Sequence, residues 1–184
     1  LILGGGIKCA KADIDLISFL KNFQIPIVTT WSGVDLIDYN NKHYIGNVGV
    51  YGSRAANFTI QNSDLIISLG SRLDTRITGG VPSSFARNAK KIVVDVDKYE
   101  LEKKRGLKID LKVNSDIKNF FNNYKKYKKI FIERNDWLKK CNNWKIKYPL
   151  LLKEYFKEKN YVNPYVLMDK LSKIHLEHKT ISFK

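Results

Sequence analysis

Apolar positions along this chain fall into two patterns, short continuous runs and a three-to-four-residue rhythm, and their alternation predicts strands interleaved with helices. Leu1-Ile2-Leu3 reads as the end of a strand, followed by Gly4-Gly5-Gly6 and a helix over residues 10–22 with Ile14, Ile17 and Leu20 on its apolar face. Pro26-Ile27-Val28-Thr29-Thr30 is the next short strand. Residues 31–49 read as a long irregular connection with Gly33, Gly46 and Gly49, and long loops in small domains tend to carry function. Ser53 is placed to cap a helix reaching residue 62. Leu65-Ile66-Ile67-Ser68-Leu69 is the kind of run a strand buried on both faces requires.

Residues 85–89 suggest a short turn or helix, and residues 91–97 the clearest strand. A short helix over 99–104 leads to residues 107–113, whose strict alternation fits an edge strand. Strands alternating with helices imply an α/β domain with a mainly parallel sheet and right-handed crossovers. After Asn114-Ser115-Asp116 the pattern turns helical up to residue 147. There Trp137, Cys141 and Trp144 form a stripe at i, i+4 and i+7, which suits packing on a neighbour better than a cofactor cage. Asn163 and Pro164 open a last helix reaching about residue 173, and residues 179–183 read as the start of another strand.

Composition changes this picture little. The chain has 184 residues, enough for one domain plus extra helices, and begins inside an apparent strand, as an excised piece of a longer protein would. No apolar run approaches the roughly 18–20 residues of a membrane span, and no secretory signal opens the chain. The separation of Cys9 and Cys141 matches no metal or disulfide framework, which suggests reduced thiols in a cytoplasmic protein. With His43, His175 and His178 scattered, no metal site is expected in this chain. The net charge of +15 invites a nucleic-acid reading. However, the excess is lysine spread over the second half, and Phe120, Phe121, Tyr124 and Tyr127 interleave with it at helical spacing, as core residues do. Charge of this kind speaks to non-specific association, so no specific nucleic-acid partner is expected.

The candidate chemistry lies in residues 70–79, Gly-Ser-Arg-Leu-Asp-Thr-Arg-Ile-Thr-Gly, just past the carboxyl end of the strand 65–69. Ligands bind at such ends in open α/β sheets, and two arginines favour an anion because guanidinium pairs with phosphate as a fork. Asp74, between Arg72 and Arg76, can orient one arginine or accept from a ligand hydroxyl; alternatively, the three form an ion-pair cluster that holds the loop. Gly4-Gly5-Gly6 would let backbone N–H groups approach a phosphate, although it is not the dinucleotide fingerprint. Gly49-Val50-Tyr51-Gly52 is a second glycine-bracketed turn, able to present donors or simply to turn the chain. Asp95 and Asp97 could accept from ribose hydroxyls or cap the next helix. No nucleophile–base arrangement accompanies them, so no catalytic residue is expected in this chain.

Taken in order, these motifs resemble the central domain of thiamine-diphosphate-dependent enzymes, most closely the acetolactate synthase group. The matching residues are Gly4-Gly5-Gly6, Val28 to Gly33, Gly49 to Ser53 with Ala56-Asn57, Gln61 to Ile67, the 70–79 loop, Phe85-Ala86, Asp95-Val96-Asp97 with Glu100, and Asn114-Ser115-Asp116. The resemblance implies a Rossmann-like parallel sheet flanked by helices over residues 1–120, a lysine-rich helical linker over 121–160, and the start of a thiamine-diphosphate-binding domain over 161–184. It also implies an oligomeric parent, a dimer or tetramer, that joins 2-keto acids such as pyruvate with loss of CO₂. Thiamine diphosphate and Mg²⁺ would be held by domains outside this chain. FAD, without net redox role, would be held by Gly4, Gly5, Gly6, Thr30, Trp31, Gly49, Val50, Tyr51, Gly70, Arg72, Asp74, Arg76, Asp95, Val96, Asp116 and Ile117. Tyr51 stands where that group carries histidine, Trp31-Ser32 replaces an aliphatic pair, and Ser115 replaces a glycine. The alternatives are a flavin-free 2-keto acid decarboxylase of the same family and a non-catalytic nucleotide-binding module.

Overall fold

The computed structural model describes residues 1–126 and 131–178. In chain order the elements are β1 (Ile2–Leu3), α1 (Gly6–Cys9), α2 (Asp13–Leu20), β2 (Phe23–Gln24), β3 (Ile27–Thr29), β4 (Tyr44–Asn47), α3 (Arg54–Gln61) and β5 (Leu65–Leu69). These are followed by α4 (Thr75–Thr78), β6 (Lys90–Asp95), α5 (Lys98–Glu102), β7 (Leu111–Asn114), α6 (Ile117–Lys126), β8 (Ile132–Glu133), α7 (Asn135–Lys147) and α8 (Pro164–His178). The chain forms two units, Leu1–Lys147 and Tyr148–Lys184.

The first unit is built on a six-stranded parallel sheet in the order β4-β3-β1-β5-β6-β7. Ranked by position in the chain, that is the 3-2-1-4-5-6 order of the doubly wound fold, with its switch point between β1 and β5. Side chains alternate along each central strand, so the sheet feeds two cores. Ile2, Val28, Ile66 and Val93 pack on one side with Ala56 and Ile60 of α3 and Leu138 and Cys141 of α7. Leu3, Ile27, Leu69 and Val94 pack on the other with Ile7, Leu16, Phe19, Ile117 and Phe121 of α1, α2 and α6. Phe19 is the hub of that second core, stacking on Phe23 at 4.3 Å and meeting Phe121 and Tyr124 at 5.1 and 4.9 Å between ring centroids. Each such pair adds about 0.5–1.5 kcal/mol beyond the area it buries.

Several expectations change in the folded chain. The helix expected over 10–22 narrows to α2, and a turn with Lys11 at φ 50° separates it from the short α1 before it. In α2 Leu16 and Phe19 face the core, with Ala12 just before the helix and Leu20 packed beside them, whereas Ile14 and Ile17 are 83% and 60% exposed. The connection over 31–49 contains an edge strand, β4, too short and glycine-interrupted to signal itself. The strand expected over 107–113 narrows to β7, at the opposite edge. A two-residue parallel ribbon, β2 with β8, pairs segments more than a hundred positions apart. The turn over 85–89 is held by a buried lysine: Lys91 Nζ donates to the Ala86 and Ala89 carbonyls at 2.7 and 2.9 Å.

Helices α6 and α7, the second of which falls in the stretch 121–160 that the resemblance marks as a linker, pack on the sheet. The Trp137–Cys141–Trp144 stripe lies against α3, with Phe58 and Trp144 edge-to-face at 5.8 Å. In the second unit, α8 begins as the sequence indicates: Asn163 Oδ1 accepts from the Tyr165 N–H at 3.0 Å and Pro164 occupies the first helical position. Tyr155 stacks on Tyr165 at 6.1 Å. The strand expected over 179–183 lies outside the described residues.

Candidate functional site

At the switch point the connections leaving β1 and β5 run to opposite sides of the sheet, and a cleft of about 870 Å³ opens beyond the strand ends. That volume is in the range of sites that enclose a drug-sized ligand. Five of the six strands supply its walls. Gly5 and Gly6 come after β1, Thr30, Trp31 and Ser32 after β3, and Asn47, Val48, Tyr51 and Gly52 from the end of β4. The loop after β5 supplies Gly70 to Asp74, Arg76 and Ile77, and β6 supplies Asp95 and Val96.

The glycines let these loops meet backbone to backbone. The N–H groups of Gly4 and Gly6 donate to the carbonyls of Leu69 and Gly70 at 2.9 and 3.0 Å. A methyl group on Gly4 would stand 2.2 Å from the Gly70 oxygen, so no other residue allows this approach. Gly49, at φ 119°, is clamped by Asn57, whose side chain accepts from its N–H and donates to its C=O, both at 2.9 Å. The Val50 N–H donates to the Arg76 carbonyl at 2.8 Å. Gly4, Gly49 and Val50 thus brace the cleft from behind, outside its lining, with their N–H donors engaged. Of the three leading glycine N–H groups, only that of Gly5 makes no hydrogen bond among the described residues.

Charge concentrates in the loop after β5. Asp74 Oδ1 accepts from the Arg76 N–H at 2.9 Å and caps α4, while Oδ2 pairs with the Arg72 guanidinium at 3.5 Å. Asp74 therefore orients Arg72 and holds the loop, which joins two of the roles open to it in the sequence. Lys8 also lines the cleft and pairs with Asp35 at 2.6 Å, and that bond holds the Asp35 carboxyl below its usual range. Asp95 is buried, and its Oδ1 accepts from the Asp97 N–H at 2.9 Å. Asp97 caps α5 by accepting from the N–H groups of Tyr99 and Glu100 at 2.9 and 3.3 Å. Trp31 and Tyr51, 67% and 79% exposed, stack on each other at 5.8 Å with an interplanar angle of 26°. They present a flat aromatic surface beside the arginines.

Two candidates lie elsewhere. Asp116 caps α6 through the N–H groups of Lys118 and Asn119 at 2.8 and 3.2 Å, and Ile117 is buried in the second core; neither lines the cleft. Both sit after β7, the edge strand, farther along the sheet than the strands that build the cleft. The lining also includes residues that were not candidates: Lys8 and Cys9 after β1, Ser32, Asn47, Val48 and Gly52, and Ser71, Leu73 and Ile77 in the loop after β5. Lys8 and Cys9 follow the leading glycines directly, and that adjacency was the available signal. The cleft fits an extended phosphate-bearing ligand: arginines in the wall, a backbone donor at Gly5, a planar aromatic surface and a carboxylate at a strand end.

Residues 1–123 match the family model described as thiamine pyrophosphate enzyme, central domain. The chain is 34% identical over 149 residues to the acetolactate synthase large subunit of Lactococcus lactis, covering 81% of this chain and 25% of that protein. It is 35% identical over 159 residues to the acetolactate synthase large subunit of Cyanidium caldarium, covering 82% and 26%. With the acetolactate synthase isozyme 2 large subunit of Escherichia coli it shares 37% identity over 105 residues, 57% of this chain and 19% of that one. The chain spans about a quarter of the length of the first two relatives.

Proposed function

Because the chain belongs to the thiamine pyrophosphate enzyme central-domain family, we propose that it is the nucleotide-holding domain of an acetolactate-synthase-like enzyme, with FAD in the cleft at the switch point. The observation that carries this reading is the convergence of Gly5, Arg72, Arg76 and Asp95 on one cleft at the strand ends. Arg72 and Arg76 would hold the diphosphate, with the Gly5 N–H as a further donor. Asp95 would accept from a ribose hydroxyl, and the Trp31–Tyr51 pair would take a planar ring. The domain's work is binding and orientation, and the rigid bracing of its loops supports that.

The decarboxylation of a 2-keto acid such as pyruvate and the transfer of the remaining fragment to a second carbonyl is the chemistry thiamine diphosphate supplies when bound. In our reading that group and Mg²⁺ are held by other parts of a dimeric or tetrameric cytoplasmic enzyme. Among the described residues no cluster of His, Cys, Asp and Glu could hold a metal ion, and no helix is long and apolar enough to cross a membrane.

The test is a titration of the purified chain with FAD, followed by quenching of flavin fluorescence. Saturable quenching is expected, with Arg76→Ala weakening it about tenfold, the loss that corresponds to one charge-assisted hydrogen bond. No saturable binding, by the chain or by the whole enzyme that contains it, would sink the flavin reading. The second reading, a flavin-free relative such as a 2-keto acid decarboxylase, is favoured by one feature: the donors of Gly4, Gly6, Gly49 and Val50 are all engaged within the protein.

A further inference from the structure

We propose that Arg105 is the positioning residue of the arginine loop: it holds the Arg72–Leu73 peptide in the orientation from which Arg72 and Asp74 face the cleft, without touching a ligand itself. Arg105 does not line the cleft. Its guanidinium spans two elements: Nη1 donates to the Arg72 carbonyl at 3.1 Å, across 33 positions of sequence, and Nη2 donates to the Glu100 carbonyl at 3.2 Å and to the Glu100 carboxylate. Both side chains of the pair are mostly shielded from water, at 16% and 18% exposure. Such a fork fixes direction as well as charge.

The carbonyl it holds is a strategic one. Leu73 lies at φ 50°, a region unfavourable for a residue with a branched side chain, and that side chain is fully buried in the first core. Leu73 could reach an ordinary backbone conformation by rotating the peptide that joins it to Arg72, and that rotation would swing the Arg72 carbonyl away. Arg105 opposes this movement directly. Asp74 follows, and its cap on α4 and its pair with Arg72 depend on the same backbone. The chain of influence therefore runs from Arg105 through the Arg72 carbonyl and Leu73 to the two groups that face the cleft. This inference rests on the cofactor-cleft reading for its ligand, although its structural half can be tested without one.

The experiment compares the wild-type 184-residue chain with Arg105→Lys, Arg105→Gln and Glu100→Gln. Lysine keeps the charge but, as a single point, cannot bridge the Arg72 carbonyl and Glu100 together. Hydrogen exchange without ligand reads the amides of Ile77 and Thr78, which donate to the Asp74 carbonyl. We expect them to exchange at least about tenfold faster in both Arg105 variants and to a lesser degree in Glu100→Gln, while the amides of β1, β5 and α3 stay unchanged. FAD affinity should fall about tenfold in the same order, and Lys104→Ala, at an exposed neighbouring position, should alter neither readout. Unchanged loop exchange in the Arg105 variants overturns the proposal, as does faster exchange with unaltered FAD affinity, or faster exchange throughout the sheet, which marks a general loss of stability. If the loop opens as expected and the wild type binds no FAD, the latch stands and the flavin reading falls.

Discussion

A single methyl group at Gly4 decides whether the first loop and the arginine loop can meet, because it would sit 2.2 Å from the Gly70 oxygen, a backbone atom that cannot step aside. Gly4→Ala should therefore cost about 2–3 kcal/mol in urea denaturation, with the slope unchanged. His43 is the other residue whose setting matters. It is buried with neither ring nitrogen hydrogen-bonded among the described residues, and its pKa is pushed below the usual 6.5 by that burial and by Lys42, the Ile25 backbone acting the other way. Unfolded His43 then binds a proton at higher pH than folded His43, so stability falls as pH drops below 6.5, until the folded pKa is passed. The carboxyls of Asp35, Asp110 and Glu100, held low by their partners, lose their contributions only in the more acid carboxylate range. Denaturation midpoints between about pH 6.5 and 5 should thus decline less steeply in His43→Leu than in the wild type, the slope that remains coming from the buried Leu1 amino group, whose pKa is lowered to about 5. Gly4 was visible in the sequence as a glycine between strand and helix; the burial of His43 was not, because a lone histidine in a long loop carries no sign of its surroundings.

At the scale of elements, α7 shows how a helix that reads as linker becomes a layer of the fold. Its Trp137, Cys141 and Trp144 stripe was legible as an apolar face, and α3 is what that face covers. Cys141 is fully buried there and its thiol is pushed up to about 11, above all by burial, whereas Cys9 is exposed on α1. A thiol reagent should modify one cysteine in the native chain and two in denaturant, counted by mass. Modification of both under native conditions would mean that α7 does not stay seated on α3. The first helix teaches the reverse lesson. Ile14, Ile17 and Leu20 have the right spacing for a buried face, yet Leu16 and Phe19 are the buried residues, Leu20 packs beside them, and Ile14 and Ile17 are exposed. Periodicity identifies a helix well and its buried face poorly where apolar residues such as Leu16 and Ile17 stand side by side.

For the whole molecule, the open question is what fills the cleft, and Cys9 offers a reporter because it lines the wall beside Lys8. Saturating FAD should slow modification of Cys9 several-fold, and the protection should be weaker in Arg76→Ala, measured by the rate of labelling. The net charge of +15 makes a different prediction. Association with any polyanion should fall by orders of magnitude between roughly 50 and 200 mM salt, as counterion release requires. Protection of Cys9 should change far less, since ligands in a recessed cleft are less screened than charges on an open surface.

By itself the sequence determined the main alternation of strands and helices, though not β2, β4 or β8, together with the parallel sheet and the placing of Gly5, Arg72, Asp74, Arg76 and Asp95 just past or at strand ends. These are local properties: side-chain period, glycine and capping residues act within a few positions of themselves. Tertiary structure alone decided which glycine N–H stays open, that Asp116 and Ile117 lie away from the cleft, and that β2 finds β8. It also brought Arg105 to the Arg72 carbonyl, 33 positions back along the chain. In each of these cases the partner is distant in sequence, and only the closing of long loops onto a common sheet chooses which groups meet.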